Sequence, residues 1–516
     1  MKYASFLTLI LGLTLLSTAA GQNAGYLDVT FGDFGIAPYT DNNDHRNEFC
    51  GVRSDGSIIS GGGNWGAGYM ITCYNPNGTI DESFGQQGAA QTIFLGNEGS
   101  GTAVAFSASG EIYVAGTAGY GSSGVPYSRR MTVSKFTNNG AIPDDWGNGT
   151  KTIDYGTSAD TGSDILIQPD GKIVVVGSSY NGNNADFAIA RLHPDGSYDT
   201  TFNGSGRVRT DIANNVDGAY SVSLFENGKL LLVGITLTSQ PQQKNLAMVL
   251  YNANGTIDTT FGVEGKVIMP IGTELLVYDA EIDMEGRILI VGEAFDGNTQ
   301  NMFITRYLPN GILDTTFAEE GIYFKPLLNE NDSVGYNVAI QSDGKILVGG
   351  QIYIDGRNYL LCRFSEDGVP DDTFGEGGFS VGNLEGGFFR LKGMDLQEDG
   401  KIIVSGNGSF ALMRFLAESQ GTVIEEPGDD TKISVYPNPL QSEAVVNFKF
   451  RGTRAITLAL YDIFGHPVDV FLSNEVRNLG VYHERIFING NVPPGIYFLI
   501  LSDEKEILSS HKIIKQ

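Results

Sequence analysis

One nine-residue string recurs along this chain in register with a second, and that periodicity constrains the fold more than any other feature. LDVTFGDFG starts at Leu27, IDESFGQQG at Ile80, YDTTFNGSG at Tyr198 and IDTTFGVEG at Ile257. LDTTFAEEG follows at Leu313 and PDDTFGEGG at Pro370, while PDDWGNG from Pro143 is a worn copy with Trp for Phe. The motif aromatics are Phe31, Phe84, Trp146, Phe202, Phe261, Phe317 and Phe374, spaced 53, 62, 56, 59, 56 and 57 residues apart. The second string, as in IQPDGKIVVVG from Ile167, places a turn glycine at Gly56, Gly110, Gly171, Gly228, Gly286, Gly344 and Gly400. Six residues after each comes another glycine. A fixed period of this length marks a repeat architecture in which each unit buries its faces on its neighbours.

The physics of one unit follows from its residues. Two apolar runs joined by Asp-Gly, Asn-Gly or Glu-Gly form a hairpin, because the tight turn needs a positive φ that glycine adopts without steric cost. The second run (IVVV, LLLV, ILIV) is continuously apolar, the pattern of a strand covered on both faces. A polar stretch of variable length leads to a third strand (FAIARL, MFITRY, YLLCRF), then to the DTTFG motif and a short fourth strand. Seven such four-stranded units predict an all-β chain, a seven-bladed β-propeller. The seventh unit ends after its third strand, and the orphan LDVTFGDFG near the N-terminus supplies what it lacks. The propeller is therefore expected to be closed by the N-terminal strand, which removes a bare sheet edge.

These strings resemble the delta-60 repeat, an uncharacterised β-propeller repeat of secreted bacterial proteins. The resemblance covers about residues 27–418 and brings no activity with it. Residues 419–432 (SQGTVIEEPGDDTK) read as an acidic linker. From Ile433 the composition changes: residues 433–516 carry eight acidic and eight basic side chains, and strand-like runs separated by Gly, Pro and Asn turns predict a small β-sandwich. This tail resembles the type A C-terminal sorting domain of the type IX secretion system of the Bacteroidetes. The matching strings are ISVYPNP (Ile433–Pro439), LYDIFGHPV (Leu460–Val468), PPGIYFLIL (Pro493–Leu501) and the basic end HKIIKQ. The resemblance implies the type IX machinery as a partner of residues 433–516, passage across the outer membrane, and release or attachment at the cell surface of a Gram-negative bacterium.

The N-terminus fits that route. Residues 1–21 read as a signal peptide: Lys2 supplies the charge, Phe6–Leu16 the apolar stretch, and small residues follow. The apolar run is too short to span a bilayer, and no later stretch is long enough, so the mature chain is expected to have no transmembrane segment. The propeller is then residues 22–418. The formal charge of −27 makes the chain a poor partner for nucleic acid or anionic lipid. Cys50, Cys73 and Cys362 are too few for a disulfide framework and are expected to be free, buried thiols.

No catalytic or cofactor-binding constellation is legible. GxSxG, HExxH and a phosphate-cradling GxxxxGK[ST] are absent from the sequence. The motif aspartates (Asp28, Asp81, Asp199, Asp258, Asp314, Asp371) recur once per unit, as turn formers should. Arg191, Arg306, Arg363 and Arg414 recur on third strands and are expected to pair with repeated carboxylates or carbonyls between units. The motif aromatics are expected to wedge between sheets. Asp-Thr-Thr at Asp199, Asp258 and Asp314 also resembles an O-glycosylation signal of exported Bacteroidetes proteins.

One rim is uniform and the other carries loops that differ in every unit, so recognition is expected on the second. Its candidate residues are Asp41, Asp44, Asp160, Asp164, Asp217 and Asp332. Their charge favours a cationic partner, or a divalent cation such as calcium with oxygen ligands, over an anion. The plain alternative is a solvated acidic surface, with no cofactor at all. Two functions remain: a non-enzymatic secreted or surface protein that binds an extracellular glycan or protein, and a polysaccharide-acting enzyme using carboxylates from non-repeated loops. A cluster of unrepeated carboxylates on one pocket would discriminate them.

Overall fold

The computed structural model describes residues 24–32, 35–37, 47–64, 68–92, 98–122, 125–157, 159–239, 242–328, 331–354, 356–382, 390–407, 412–418, 433–436, 442–450, 454–462, 464–477, 480–503 and 507–515. The signal peptide, the linker, Asp41 and Asp44 lie outside the described residues. What is described falls into two compact units, one within Gln22–Gln420 and one within Gly421–Gln516.

The larger unit is all-β and propeller-like. Among its described residues are seven antiparallel four-stranded sheets. In chain order their first strands are Phe49–Val52, Glu98–Phe106, Asp160–Ile167, Asp217–Leu224, Leu275–Ile282, Ser333–Ile340 and Arg390–Leu396. The third sheet is typical: Asp160–Ile167, Ile173–Tyr180, Ala185–Leu192 and Arg207–Thr210 pair in sequence order. In the seventh sheet the fourth strand is Ile36–Ala37, with Ile36 opposite Met413 and Ala37 opposite Leu412. First strands of successive sheets pack on one another, and Arg390–Leu396 packs on Phe49–Val52. Apolar clusters fill the spaces between neighbouring sheets; Val174, Val176 and Phe187 of the third, for example, meet Leu230, Leu232 and Val249 of the fourth. Both faces of each second strand are thus covered, which is why those strands are continuously apolar.

The repeated motif joins each sheet to the next. Asp199 Oδ1 accepts from the Thr201 amide (3.0 Å) and hydroxyl (2.5 Å), while Oδ2 accepts from Arg191 Nε at 2.8 Å. The same guanidinium donates to the carbonyl of Ala253 in the fourth sheet at 2.6 Å and lies 4.5 Å from the centroid of Phe202. Arg306 repeats this with Asp314, the Glu366 carbonyl and Phe317, and Arg363 with Asp371, the Ala417 carbonyl and Phe374. In the seventh sheet Arg414 closes the same clasp on Asp28, Phe31 and the Pro76 carbonyl, tying the ends of the unit together. The fourth sheet has Leu250 in place of the arginine, and Lys229 takes its role at 2.6 Å from Asp258. Each Phe is pressed onto the turn of the following sheet: a Cβ on Gly255, whose φ is +84°, would lie 2.9 Å from the Phe202 ring. Trp146 of the worn copy keeps the place, is 1% exposed and donates to the Pro194 carbonyl at 2.9 Å.

Cys50 and Cys73 lie on the first and third strands of one sheet, and all three cysteines are free and buried. In the smaller unit a three-stranded sheet (Ser434–Tyr436, Glu443–Phe450, Gly480–Phe487) and a four-stranded one (Pro467–Arg477, Arg454–Tyr461, Gly495–Ser502, Ile507–Lys515) share a core. Val435, Val446 and Ile486 meet Leu458, Leu460, Leu499 and Leu501 there. Among the described residues no helix is long and apolar enough to cross a membrane.

Candidate functional site

The structure redistributes the acidic rim expected from sequence. Of its described members, only Asp332 is an exposed side chain, and it accepts from the Gln300 amide at 2.9 Å. Asp160 opens the first strand of the third sheet and is fully buried. Its Oδ1 accepts from Ser179 (2.7 Å) and Thr157 (2.9 Å), and its Oδ2 has no partner. Asp217 opens the first strand of the fourth sheet, 1% exposed, and accepts from Thr236 and the Ile212 amide. Asp164 is a mid-strand residue whose Oδ2 accepts the Val222 amide of the next sheet at 2.8 Å. Three of the expected loop acids are therefore strand residues whose carboxylates satisfy donors that would otherwise be orphaned, the usual condition for burying such a group.

Asp217 does take part in a cation-sized grouping, with two aspartates the sequence analysis did not select. Carboxylate oxygens of Asp186, Asp211 and Asp217 all lie within 4.8 Å of one another, where the third and fourth sheets meet. Burial pushes the Asp217 carboxyl up to about 6, aided by Asp211 and Asp186. Burial and then Asp211 also push Asp186 up, against hydrogen bonds from Asn181. Five of the six oxygens of this trio already accept hydrogen bonds, from the Ile212 and Asn214 amides, the Thr236 hydroxyl and the Asn181 side chain, which leaves less than a full shell for an ion.

The second concentration of unrepeated chemistry lies on the first strands. In six of the seven sheets the pairing of first and second strands skips one residue, a β-bulge at the same place. The skipped residues are Thr102, Ser163, Tyr220, Tyr278, Tyr336 and Lys392. A bulge re-aims its side chain, and such features gather beside functional sites. Three consecutive sheets place tyrosine there, each half-buried. The Tyr278 and Tyr336 rings meet edge to face with centroids 4.8 Å apart, and Lys392 Nζ lies 4.9 Å from the Tyr336 centroid. Tyr278 donates to Glu293 Oε1 at 2.6 Å. Burial, then Glu293 and the neighbouring tyrosines, push the Tyr278 phenol well above its ordinary value.

Just beyond the bulge come carboxylates. Asp164 and Asp279 each follow their bulged residue; Asp279 Oδ2 accepts the Val338 amide at 3.0 Å and Oδ1 accepts from Ser221 at 3.2 Å. Glu281 and Asp395 stand two residues further along, and Asp395 Oδ2 accepts the Val52 amide at 2.7 Å. Burial pushes Asp164 up to about 6. Burial and then Asp164 push Asp279 up to about 7. Glu281 reaches about 8, through burial first and then Asp279, Asp164 and Asp395. Asp164 and Asp279 stand one residue past their bulges and Glu281 and Asp395 three, so alternation along the strand places all four on the same face of the first strands, and Asp164 and Asp279 bond to adjacent residues of the fourth sheet, Val222 and Ser221. The Glu281 side chain is accessible. Sequence reasoning passed over these residues. The available signal was the column eight residues before each turn glycine, which reads Glu48, Thr102, Ser163, Tyr220, Tyr278, Tyr336 and Lys392.

The motif residues are spent on structure. Thr201, Thr260 and Thr316 donate to their aspartates, while Thr200, Thr259 and Thr315 are exposed. His193, in the third-sheet turn, lies 3.8 Å from Asp199 with no nucleophile between them.

Comparison with known proteins bears on the scaffold. No curated protein matches the sequence. The chain is similar to a solved structure described as a new family of polysaccharide lyase, PL25 ulvan lyase (11% identity, TM-score 0.47, covering 78% of this chain and 98% of that one). It is similar to the β-propeller domain of the trilobed protease from Pyrococcus furiosus (10%, TM-score 0.39, 75% and 98%). A third similar structure is that of extracellular domains 1–2 of Drosophila semaphorin 1b (9%, TM-score 0.43, 75% and 88%). Residues 168–202, 226–261, 286–317 and 341–374 match the family model described as a domain of unknown function (DUF5122) beta-propeller. Residues 434–516 match the secretion system C-terminal sorting domain. The chain thus carries DUF5122 beta-propeller repeats of the delta-60 type and ends in a type IX C-terminal sorting domain, which marks it for export to the surface or beyond.

Proposed function

We propose that this protein is a secreted or surface-bound binding protein rather than an enzyme. In this reading residues 22–418 form a closed seven-bladed propeller, completed by the N-terminal strand, which captures an extracellular glycan or protein. Closure is supported by the pairing of Ile36–Ala37 with Leu412–Phe415, the Arg414–Asp28 clasp and the packing of the last first strand on the first. The observation that carries the binding reading is the division of labour among side chains. Residues repeated in every unit are consumed in clasps between sheets, whereas the unrepeated tyrosines and carboxylates gather on the first strands. A symmetric scaffold with one asymmetric wall is built to recognise something.

The experiment is a glycan and protein array probed with the purified secreted chain. Specific capture is expected, and blank arrays would remove the reading. Routing is tested separately. A chain ending at Gln420 should accumulate in the periplasm, and residues 433–516 fused to a passenger should carry it outside; surface recovery of the truncated form would overturn the assignment.

One observation favours a polysaccharide-acting enzyme as the second reading. Asp279 at about 7 and Glu281 at about 8 have the elevated carboxyl values of general acids. Release of reducing ends or unsaturated products from a polysaccharide panel, lost in Glu281→Gln, would decide for it.

A further inference from the structure

We propose that the wall formed by the first strands of the fourth to seventh sheets binds an organic cation, a ligand carrying amine or guanidinium groups such as a basic peptide segment. The inference deepens the binding reading and rests on it, and three observations carry it.

The first is an aromatic arc in a scaffold that does not otherwise repeat it. Tyr220, Tyr278 and Tyr336 occupy the bulge of three consecutive sheets, where the other sheets with that bulge have Thr102, Ser163 and Lys392. Tyrosine rings attract cations over their faces. Lys392 Nζ, 4.9 Å from the Tyr336 centroid, is an internal example of that contact, and among the described residues no cation lies over Tyr220 or Tyr278.

The second is charge. Asp164, Asp279, Glu281 and Asp395 share one face of the first strands by register, Asp164 and Asp279 reaching adjacent residues of the fourth sheet, and among the described residues no lysine or arginine lies within ion-pair distance of any of them. Three accept one amide of the neighbouring strand and one of their own strand, Asp279 also the Ser221 hydroxyl, and among the described residues Glu281 accepts none. Carboxyl groups without a counter-ion hold their protons, and a cationic ligand favours their charged form, so binding draws its energy from releasing protons there. Their spacing selects the kind of cation. Among the described residues the only three carboxylates whose oxygens fit within 4.8 Å are Asp186, Asp211 and Asp217, so the wall offers no cage for a single metal ion. Charges spread over several strands match a ligand with several separated positive groups.

The third is an amide without partners. Gln351 is fully buried, and neither its Oε1 nor its Nε2 has a hydrogen-bond partner. It follows Gly350 as Glu293 follows Gly292, and Glu293 is the residue that reaches Tyr278. Register therefore gives Gln351 the place beside Tyr336 that Glu293 has beside Tyr278. A free donor and a free acceptor there suit the backbone of a peptide.

The test is calorimetric titration of the full secreted chain with tetra-lysine peptide, run beside the same peptide with its side-chain amines acetylated. Tetra-lysine is expected to bind one to one, weakened about tenfold or more in Glu281→Gln and in Tyr278→Leu, roughly the loss of one charge or ring contact. Tyr278→Phe, which keeps the ring, and Glu264→Gln, a surface charge elsewhere, are expected to bind like the parent. The acetylated peptide is expected to give no heat. Melting curves check that each variant is folded; Glu281 is accessible and among the described residues makes no hydrogen bond, so its replacement is expected to leave the fold intact. Equal binding of the acetylated peptide, retention in both Glu281→Gln and Tyr278→Leu, or calcium binding that depends on Glu281 would each overturn the inference. Array capture with no tetra-lysine heat would sink the inference and leave the binding reading. Blank arrays with Glu281-dependent tetra-lysine heat would uphold the site and remove the glycan or protein reading.

Discussion

The molecule contains two sets of aspartates in opposite circumstances. At the repeated motif, Asp258 is held down to about 2, by Lys229 first and then by Thr260 against burial. In Asp28, Asp199, Asp314 and Asp371 burial pulls upward, but the threonine hydrogen bonds and the arginine or lysine beside them prevail and hold each below its ordinary value. On the first strands, Asp164 and Asp279 have backbone donors but no cation, and burial wins. The same residue type is a fastener where its unit supplies a counter-ion and an available group where none is supplied. Repetition marks structure, and departure from it marks the wall worth testing.

The comparison breaks most visibly where the fastener joins the chain ends. Deleting Tyr26–Thr40 removes Asp28, Phe31 and the strand Ile36–Ala37 together, exposing the edge of Leu412–Phe415. The expected outcome is loss of cooperative melting and aggregation on size exclusion. A deletion that elutes and melts like the parent would mean that the seventh sheet does not depend on this strand.

Next in size is a single clasp. Arg306→Met leaves Asp314, 6% exposed, without its guanidinium and strips the Glu366 carbonyl of its donor. Breaking a buried pair from one side costs about 3–5 kcal/mol, to be read by urea denaturation. Adding Asp314→Asn should recover part of the loss, since the uncompensated charge is then gone.

The wall responds to pH with the opposite sign. Asp164, Asp279 and Glu281 titrate at about 6, 7 and 8 in the folded chain, against about 4 when unfolded. The folded state therefore holds more protons between those values, and its stability falls as pH rises from about 4 to 8. Asp258, at about 2, does the reverse and costs stability only as pH falls below about 4. The melting temperature should be highest near pH 4–5 and decline toward 8. Glu281→Gln should flatten that decline and raise the melting temperature at pH 8 by roughly a few degrees. A melting temperature that rises from pH 5 to 8 would refute the assignment of these groups.

The scaffold was legible because its requirements repeat: seven glycines at a fixed distance from seven others, and an Asp–Arg–Phe set whose geometry the sheets then reproduce. The trade of Arg for Lys229 in the fourth sheet was not legible, because the lysine comes from the turn before the second strand and reaches Asp258 only through the fold. The wall was hidden for a related reason. Tyr220, Tyr278 and Tyr336 read as ordinary strand residues until a bulge turns them, and the acids beside them are scattered over more than 200 residues. Asp160, Asp164 and Asp217 read as solvent-facing loop residues, because acidic, glycine-rich stretches look like loops, whereas Asp160 and Asp217 open first strands and Asp164 lies in the middle of one.

The smallest effect belongs to the third acidic setting, the trio of Asp186, Asp211 and Asp217. It differs from the clasp in having no arginine within ion-pair distance, and from the wall in its tight spacing. Asp211 is exposed while the other two are buried, so it can be neutralised without disturbing packing. Asp211→Asn relieves repulsion on Asp217 and Asp186 and should raise the melting temperature by about a degree at pH 8, with less effect at pH 5. Calcium offers the same relief by another route, so titrating it into the parent chain should reproduce a rise of that size, and titrating it into the variant should not. If Asp211→Asn lowers the melting temperature instead, the trio is held together by contacts that outweigh its charge. In that case tight spacing alone is not what separates it from the clasp.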